Sequence, residues 1–325
     1  MADLKTNFAG LTLKSPVIAG SCGLTADIEK LREMEKNGAG AVILKSVFEE
    51  QIRMDVQKMT GNSDSSEEGD YLRNYVRANT LQQYIALVKD AKKNINIPVI
   101  ASINCIADGE WVSFAKELEQ AGADALELNV FALPLDEFKE SVETENVYYS
   151  IVKHLRSQVK LPLIVKISHY FTNLPTFVAK LKAFGVDAVT LFNRFYEPDI
   201  DIEQLAIGVA PVFSRPEDLR TTLRWTGILA GKNPQLQISA STGVHSGEAV
   251  VKMLLAGAAT VQVCSVLYEK GIETVQALNR FVASWMDRHA FRSIGQFRGK
   301  LSYGGMENAA RYERAQFMKY FSDRK

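Results

Sequence analysis

Cysteine is scarce: Cys22, Cys105 and Cys264 are the only three in 325 residues. Three scattered thiols make neither a disulfide framework nor a four-cysteine zinc or iron–sulfur site. That usage fits a reducing cytoplasm and leaves the chain without an iron–sulfur relay of its own. The four histidines show no metal-ligand spacing such as His-Glu-x-x-His, so no metal site is expected. No apolar run reaches the roughly 18 residues of a membrane span, so no membrane insertion is expected. The start, Met-Ala-Asp-Leu-Lys-Thr, has no apolar export segment. An excess of charge of one sign is also missing. The 38 lysines and arginines balance 38 aspartates and glutamates, which argues against nucleic acid as a partner and leaves room only for a local basic cleft.

What the chain does have is a recurrent alternation. Apolar runs span residues 16–20, 41–45, 98–103, 125–129, 162–167, 188–192, 236–240 and 259–264. Helical patterns span 28–36, 111–120, 147–159, 174–184 and 246–255. Turns such as Asn37-Gly38-Ala39-Gly40 and Ala121-Gly122-Ala123-Asp124 separate helix from strand. Strands apolar at almost every position are expected where helices cover a parallel sheet on both sides. The fold class is therefore α/β, a single (β/α)8 TIM barrel over residues 1–325. Two long loops, 46–80 and 194–220, are expected over the mouth, and the tail from Phe281 should close the barrel side or join a subunit interface.

Polar residues gather at the C-terminal ends of these strands, the face where ligands bind in such barrels. The ends read Ala19-Gly20-Ser21, Lys45-Ser46, Ser102-Ile103-Asn104, Glu127-Leu128-Asn129, Lys166-Ile167-Ser168, Phe192-Asn193, Ser241-Thr242-Gly243 and Cys264-Ser265. The small-residue turn from Ser241 to Gly247 is the best anion site, because backbone N–H groups can approach a phosphate there. Cys264-Ser265 sets a second small turn beside it, although packing suffices to explain Cys264 itself. Lys45 and Lys166 end apolar strands, where a charge needs water or a partner. Each can stabilise an anionic ring or phosphate, or pair with a carboxylate such as Glu127. Asn104, Asn129 and Asn193 can read a heteroaromatic edge as donors and acceptors, or cap turns. His169 could move a proton near neutrality or cap a loop. Arg194 could grip a carboxylate or form a surface ion pair.

These segments resemble the dihydroorotate dehydrogenase family, most closely its soluble class 1 members. Leu13-Lys-Ser-Pro-Val-Ile-Ala-Gly-Ser-Cys-Gly23 is similar to the family's opening strand and flavin-contacting loop, and Leu44-Lys45-Ser46 to its next strand end. Ile164-Val-Lys-Ile-Ser-His-Tyr-Phe171 resembles the strand whose lysine contacts FMN, and Thr190-Leu-Phe-Asn193 the strand whose asparagine lies at flavin and substrate. Ser241-Thr-Gly-Val-His-Ser-Gly247 and Leu255-Ala-Gly-Ala-Ala-Thr-Val-Gln-Val-Cys-Ser265 resemble the paired phosphate-binding segments, where the family usually has Gly-Gly-Ile and Gly-Thr or Gly-Ser. Ile294-Gly-Gln-Phe-Arg-Gly-Lys300 resembles its C-terminal signature.

The resemblance implies one FMN, held by Ala19, Gly20, Ser21, Lys45, Asn104, Asn129, Lys166, Asn193, Ser241, Thr242, Gly243, Cys264 and Ser265. It implies a homodimer and a small organic substrate, a pyrimidine or a carboxylate, with Lys45, Asn129, Asn193 and Arg194 on the substrate side. Lys166, Asn129, Asn193 and His169 are the catalytic candidates, and Tyr71 and Tyr196 could be supplied by the long loops.

The departures fall on that substrate side. The family's Asn-x-Ser-Cys-Pro-Asn segment, whose cysteine or serine is the proton-accepting base, reads Asn129-Val-Phe-Ala-Leu-Pro134 here. Ala132 cannot accept a proton, and Pro134 replaces a substrate-contacting asparagine. The sequence thus reads as an FMN-dependent oxidoreductase. The alternatives are dihydroorotate oxidation with a relocated base, a non-enzymatic flavin-binding protein, and a phosphate-binding barrel enzyme without flavin.

Overall fold

Side chains that are apolar on both faces of a strand must be covered on both, and the chain achieves this by closing its strands into a ring. The computed structural model describes residues 2–47, 67–105, 111–130, 133, 135–195, 197–306 and 312. Its strands are β1 (Thr6–Phe8), β2 (Leu11–Leu13), β3 (Val17–Ala19), β4 (Ala41–Ile43), β5 (Val99–Cys105), β6 (Ala125–Val130), β7 (Leu163–Ile167), β8 (Ala188–Leu191), β9 (Pro198–Asp201), β10 (Ala206–Val209), β11 (Gln237–Ala240) and β12 (Thr260–Val263). The helices are α1 (Ile28–Lys36), α2 (Glu67–Asn94), α3 (Trp111–Gln120), α4 (Ser141–Arg156), α5 (Leu174–Ala183), α6 (Leu219–Lys232), α7 (Gly247–Ala256), α8 (Ser265–Lys270) and α9 (Thr274–Arg288).

A closed barrel runs β11-β12-β3-β4-β5-β6-β7-β8, and β8 pairs back onto β11. Every pairing in it is parallel. This is the (β/α)8 barrel expected from the alternation. Helix starts are locally specified. Asp27 accepts the N–H groups of Glu29 and Lys30 at the head of α1, and Ser246 accepts that of Ala249 at the head of α7.

Two buried clusters hold the barrel. The larger lies between strands and helices. The smaller fills the N-terminal half of the ring with Ile18, Ile43, Ile100 and Ile164, against Phe8 and Leu13. Phe8 and Leu13 belong to the antiparallel pair β1–β2, which therefore plugs that end. Thr6 fastens the plug by donating to the Ala259 carbonyl at 3.0 Å.

The connections need one correction. Of the expected 46–80 loop, residues 48–66 lie outside the described residues, but from Glu67 the chain is helical, as the start of α2. The 194–220 connection contains the β9–β10 hairpin and ends in the first turn of α6. The tail packs on the barrel side, where Leu301 and Tyr303 donate to the carbonyls of Leu255 in α7 and Gly227 in α6, each at 2.9 Å.

Candidate functional site

Register sets the first layer of the mouth. Asn104 on β5 lies opposite Asn129 on β6, and Asn129 opposite Lys166 on β7. Asn193, just beyond β8, donates through Nδ2 to Asn129 Oδ1 at 2.7 Å. Below them Glu127 is fully buried inside the barrel. Its Oε2 accepts from Thr190 Oγ1 and from Gln262 Nε2, both at 2.7 Å. Its Oε1 has no hydrogen-bond partner and lies 3.9 Å from Lys166 Nζ. A buried carboxylate without a cation would be costly, so Glu127 fixes the charge of Lys166 beneath the mouth. Lys166 is only 12% exposed, and that surface opens into a cavity of ≈ 660 Å³.

That cavity is also lined by Ser21, Asn193, Gly243, Gln262, Cys264 and Ser265. Behind it the end of β3 packs tightly on Cys264 because residue 20 is glycine: a Cβ there would sit 2.6 Å from Cys264 Sγ. The β11 turn bends through positive φ at Thr242 (74°) and Gly243 (80°). A Cβ on Gly243 would lie 2.3 Å from the Leu219 nitrogen, so the turn and the head of α6 are packed backbone to backbone. Gln262 Oε1 and Asn104 Oδ1 are buried acceptors without partners. Gln262 lines the cavity, where an orphaned acceptor calls for a donor from a ligand.

Beside this cleft lies a second cavity of ≈ 570 Å³, lined by His169, Tyr170, Arg194, Glu197, Asp218 and Thr222. Phe192, Asn193, Arg194 and Thr242 are common to both cavities. Desolvation holds the His169 pKa below its ordinary value, and the Glu197 carboxylate pulls it partly back. The imidazole is thus kept neutral, the state that can accept a proton. Arg194 reaches the carbonyl of Pro211 at 2.9 Å and that of Val212, and lies 3.6 Å from Glu197.

The predicted residues are therefore largely brought together. Ser21, Lys166, Asn193, Arg194, Ser241, Thr242, Gly243, Cys264 and Ser265 line the main cavity. Asn129 is tied to it through Asn193. Ala19 is buried in β3, and Gly20 backs onto the cavity wall. Lys45 is the outlier: it is exposed just past β4 and does not line the cavity. Ala132, Pro134 and Tyr196 lie outside the described residues, as does the side chain of Tyr71.

Three residues were not singled out from the sequence: Gln262, Ser214 and Glu269. Gln262 is a polar residue inside an apolar strand, a signal that could have been read. Ser214 and Glu269 meet His245 only through the fold.

Two of the cysteines, Cys22 and Cys264, also converge. Cys22 heads a short 3-10 helix, Gly23–Ala26. Its thiol pKa is lowered to about 6, chiefly by a hydrogen bond from Cys264, against the opposing effect of burial. Cys264 is pushed well up by the same contact and by burial.

The family model described as dihydroorotate dehydrogenase matches residues 3–286. The chain belongs to the dihydroorotate dehydrogenase family. It is 25% identical to the catalytic subunit of dihydroorotate dehydrogenase B (NAD(+)) of Thermoplasma volcanium, over 92% of this chain and 98% of the relative. It is 28% identical to the protein of the same name from Methanosarcina acetivorans, over 90% of this chain and 94% of the relative. A putative dihydroorotate dehydrogenase A (fumarate) of Aeropyrum pernix is also 28% identical, over 90% and 95%. The chain is accordingly an oxidoreductase, from a family that is generally flavin-dependent. Among the described residues no helix is long and apolar enough to cross a membrane.

Proposed function

We propose that this chain binds one FMN non-covalently at the barrel mouth and transfers electrons between it and a small organic substrate, a pyrimidine or a carboxylate. The observation that carries this is the convergence of the Lys166 ammonium with the turns at Gly243 and Ser265 on one cavity. The unpartnered Gln262 acceptor in the cavity wall suits a ring with N–H donors. Asn129 and Asn193 would orient that ring. Ser241, Thr242, Gly243, Cys264 and Ser265 would hold the phosphate end. When bound, the isoalloxazine supplies two-electron redox chemistry. Lys166 offers fixed positive charge beside it, an electrostatic contribution that needs no reorganisation.

His169 is the proton acceptor in this reading. It is neutral, and it lines a cavity that shares Asn193 and Arg194 with the main cleft. Protonation would remove the base, so activity should fall on the acid side, with a midpoint below the ordinary imidazole value of 6.5. With alanine at the family's base position, dihydroorotate is not the preferred substrate. The names of the relatives support the second reading, dihydroorotate oxidation with His169 as the relocated base. We also place the protein in the cytoplasm, on its cysteine usage, and as a homodimer, on the exposed apolar hairpin β9–β10.

The test is a visible spectrum of the purified protein followed by anaerobic dihydroorotate. We expect flavin absorbance that dithionite bleaches and dihydroorotate does not. Prompt bleaching by dihydroorotate would establish the second reading. A colourless protein that cannot be reconstituted with FMN would overturn both.

A further inference from the structure

Behind the turn at Gly243, side chains from separate stretches meet in a chain of hydrogen bonds. Ser214 Oγ lies 3.0 Å from His245 Nε2, and His245 Nδ1 lies 3.3 Å from Glu269 Oε2. The Ser214 N–H donates to Ser265 Oγ at 3.0 Å, and the Ser214 hydroxyl is 3.1 Å from that same oxygen. Ser214 and His245 are 7% and 8% exposed, and both line the main cavity.

Counting protons separates two states of this chain. A neutral imidazole donates from Nδ1 to Glu269, and its Nε2 must accept the Ser214 hydroxyl hydrogen. Ser214 then offers the cavity only lone pairs, which repel an anion. An imidazolium donates from both nitrogens, and the Ser214 hydrogen is released toward Ser265 or a ligand. An anion in the cavity therefore favours the imidazolium. The other cations lining the cavity are already committed: Lys166 lies over Glu127, and Arg194 is held by Glu197 and two backbone carbonyls. Among the described residues lining it, His245 is the remaining group that can gain a positive charge.

We propose that Glu269, His245 and Ser214 form a relay that recognises a phosphomonoester dianion, so that this chain selects a phosphorylated flavin over its dephosphorylated form. The proposal rests on the FMN reading and deepens it. It assigns Ser214 and His245 as specificity-determining residues and Glu269 as a positioning residue behind them. The same residue types in this order also build nucleophilic triads. Here the serine hydroxyl has a second acceptor in Ser265, and its hydrogen is directed at a ligand rather than given up to the base.

The test titrates flavin-free protein with FMN and with riboflavin, read by flavin fluorescence. Ser214→Ala, His245→Gln and Glu269→Gln should each weaken FMN by roughly tenfold to one hundredfold, the range of a lost charge-assisted hydrogen bond. Riboflavin affinity should change by less than about twofold, because it lacks the group the relay recognises. Equal loss of both flavins, or no loss of either, would overturn the relay. Wild-type protein that binds neither flavin would instead sink the FMN reading. The relay is then judged with inorganic phosphate by the ring-nitrogen resonances of His245, which should turn to the imidazolium pattern on addition. A ring that stays neutral at saturating phosphate overturns it. So does covalent labelling of Ser214 by a fluorophosphonate, which would make it a nucleophile.

Discussion

Lys166 carries two duties that a single substitution can separate. Its ammonium faces the cavity, and it balances a carboxylate with no exposure at all. Lys166→Met keeps the bulk and removes the charge. Leaving Glu127 unpaired should cost about 3 kcal/mol in urea unfolding, since broken buried pairs cost roughly that much. Flavin reduction by substrate should slow by roughly one hundredfold, the scale of one lost electrostatic stabiliser. An unfolding free energy unchanged by the substitution would show that Thr190 and Gln262 suffice to hold Glu127.

Cys22 makes a different prediction. Its pKa of about 6 in the folded chain, against 9.0 for an ordinary thiol, favours the thiolate. The stability gained is complete above pH 9.0 and is lost as the pH falls through about 6. Alkylation of Cys22 by iodoacetamide should therefore be half-maximal near pH 6. Cys264→Ala removes the largest cause of the shift and should move that midpoint upward. An unchanged midpoint would assign the shift to the backbone of Leu24 and Thr25 instead.

At the scale of elements, the turn after β11 is the most constrained part of the site. Gly243→Ala meets both a left-handed φ and the backbone of Leu219. It should cost about 2 kcal/mol or more and weaken FMN by shifting the turn, measurable by thermal unfolding and flavin titration. Thr242 already bears a positive φ where family members usually carry glycine, and its hydroxyl is held by the Phe192 carbonyl at 3.3 Å.

The strands were legible in the sequence because burial on both faces leaves an unbroken apolar run that ends abruptly in polar residues. Helix α2 was hidden for the opposite reason. Its first turns are polar and glycine-bearing, and its apolar residues show almost no one-sided pattern. The Lys166–Glu127 pair was legible as one option for Lys166, since both residues stand at the ends of neighbouring strands. The Ser214–His245–Glu269 chain was not, because no local period links residues brought together from two separate connections and helix α8.

At the scale of the whole molecule, the β9–β10 hairpin carries a set of exposed apolar side chains. Ile200 and Ile207 are cross-strand partners, 69% and 74% exposed, and Leu205 beside them is 89% exposed. Such a patch on a separate ribbon marks an association surface. Light scattering should find a dimer, and Ile200→Asp with Ile207→Asp should give a folded monomer with its flavin retained. A wild-type monomer would remove the hairpin from any account of assembly.

The hairpin of β1 and β2 stoppers one end of the barrel with Phe8 and Leu13. A vessel corked at the bottom is filled and emptied through its neck. Electron donor and electron acceptor, if both are small molecules, must then take turns at the same doorway, each leaving before the other enters. Steady-state rates measured against both should follow double-displacement kinetics, with parallel lines in reciprocal plots.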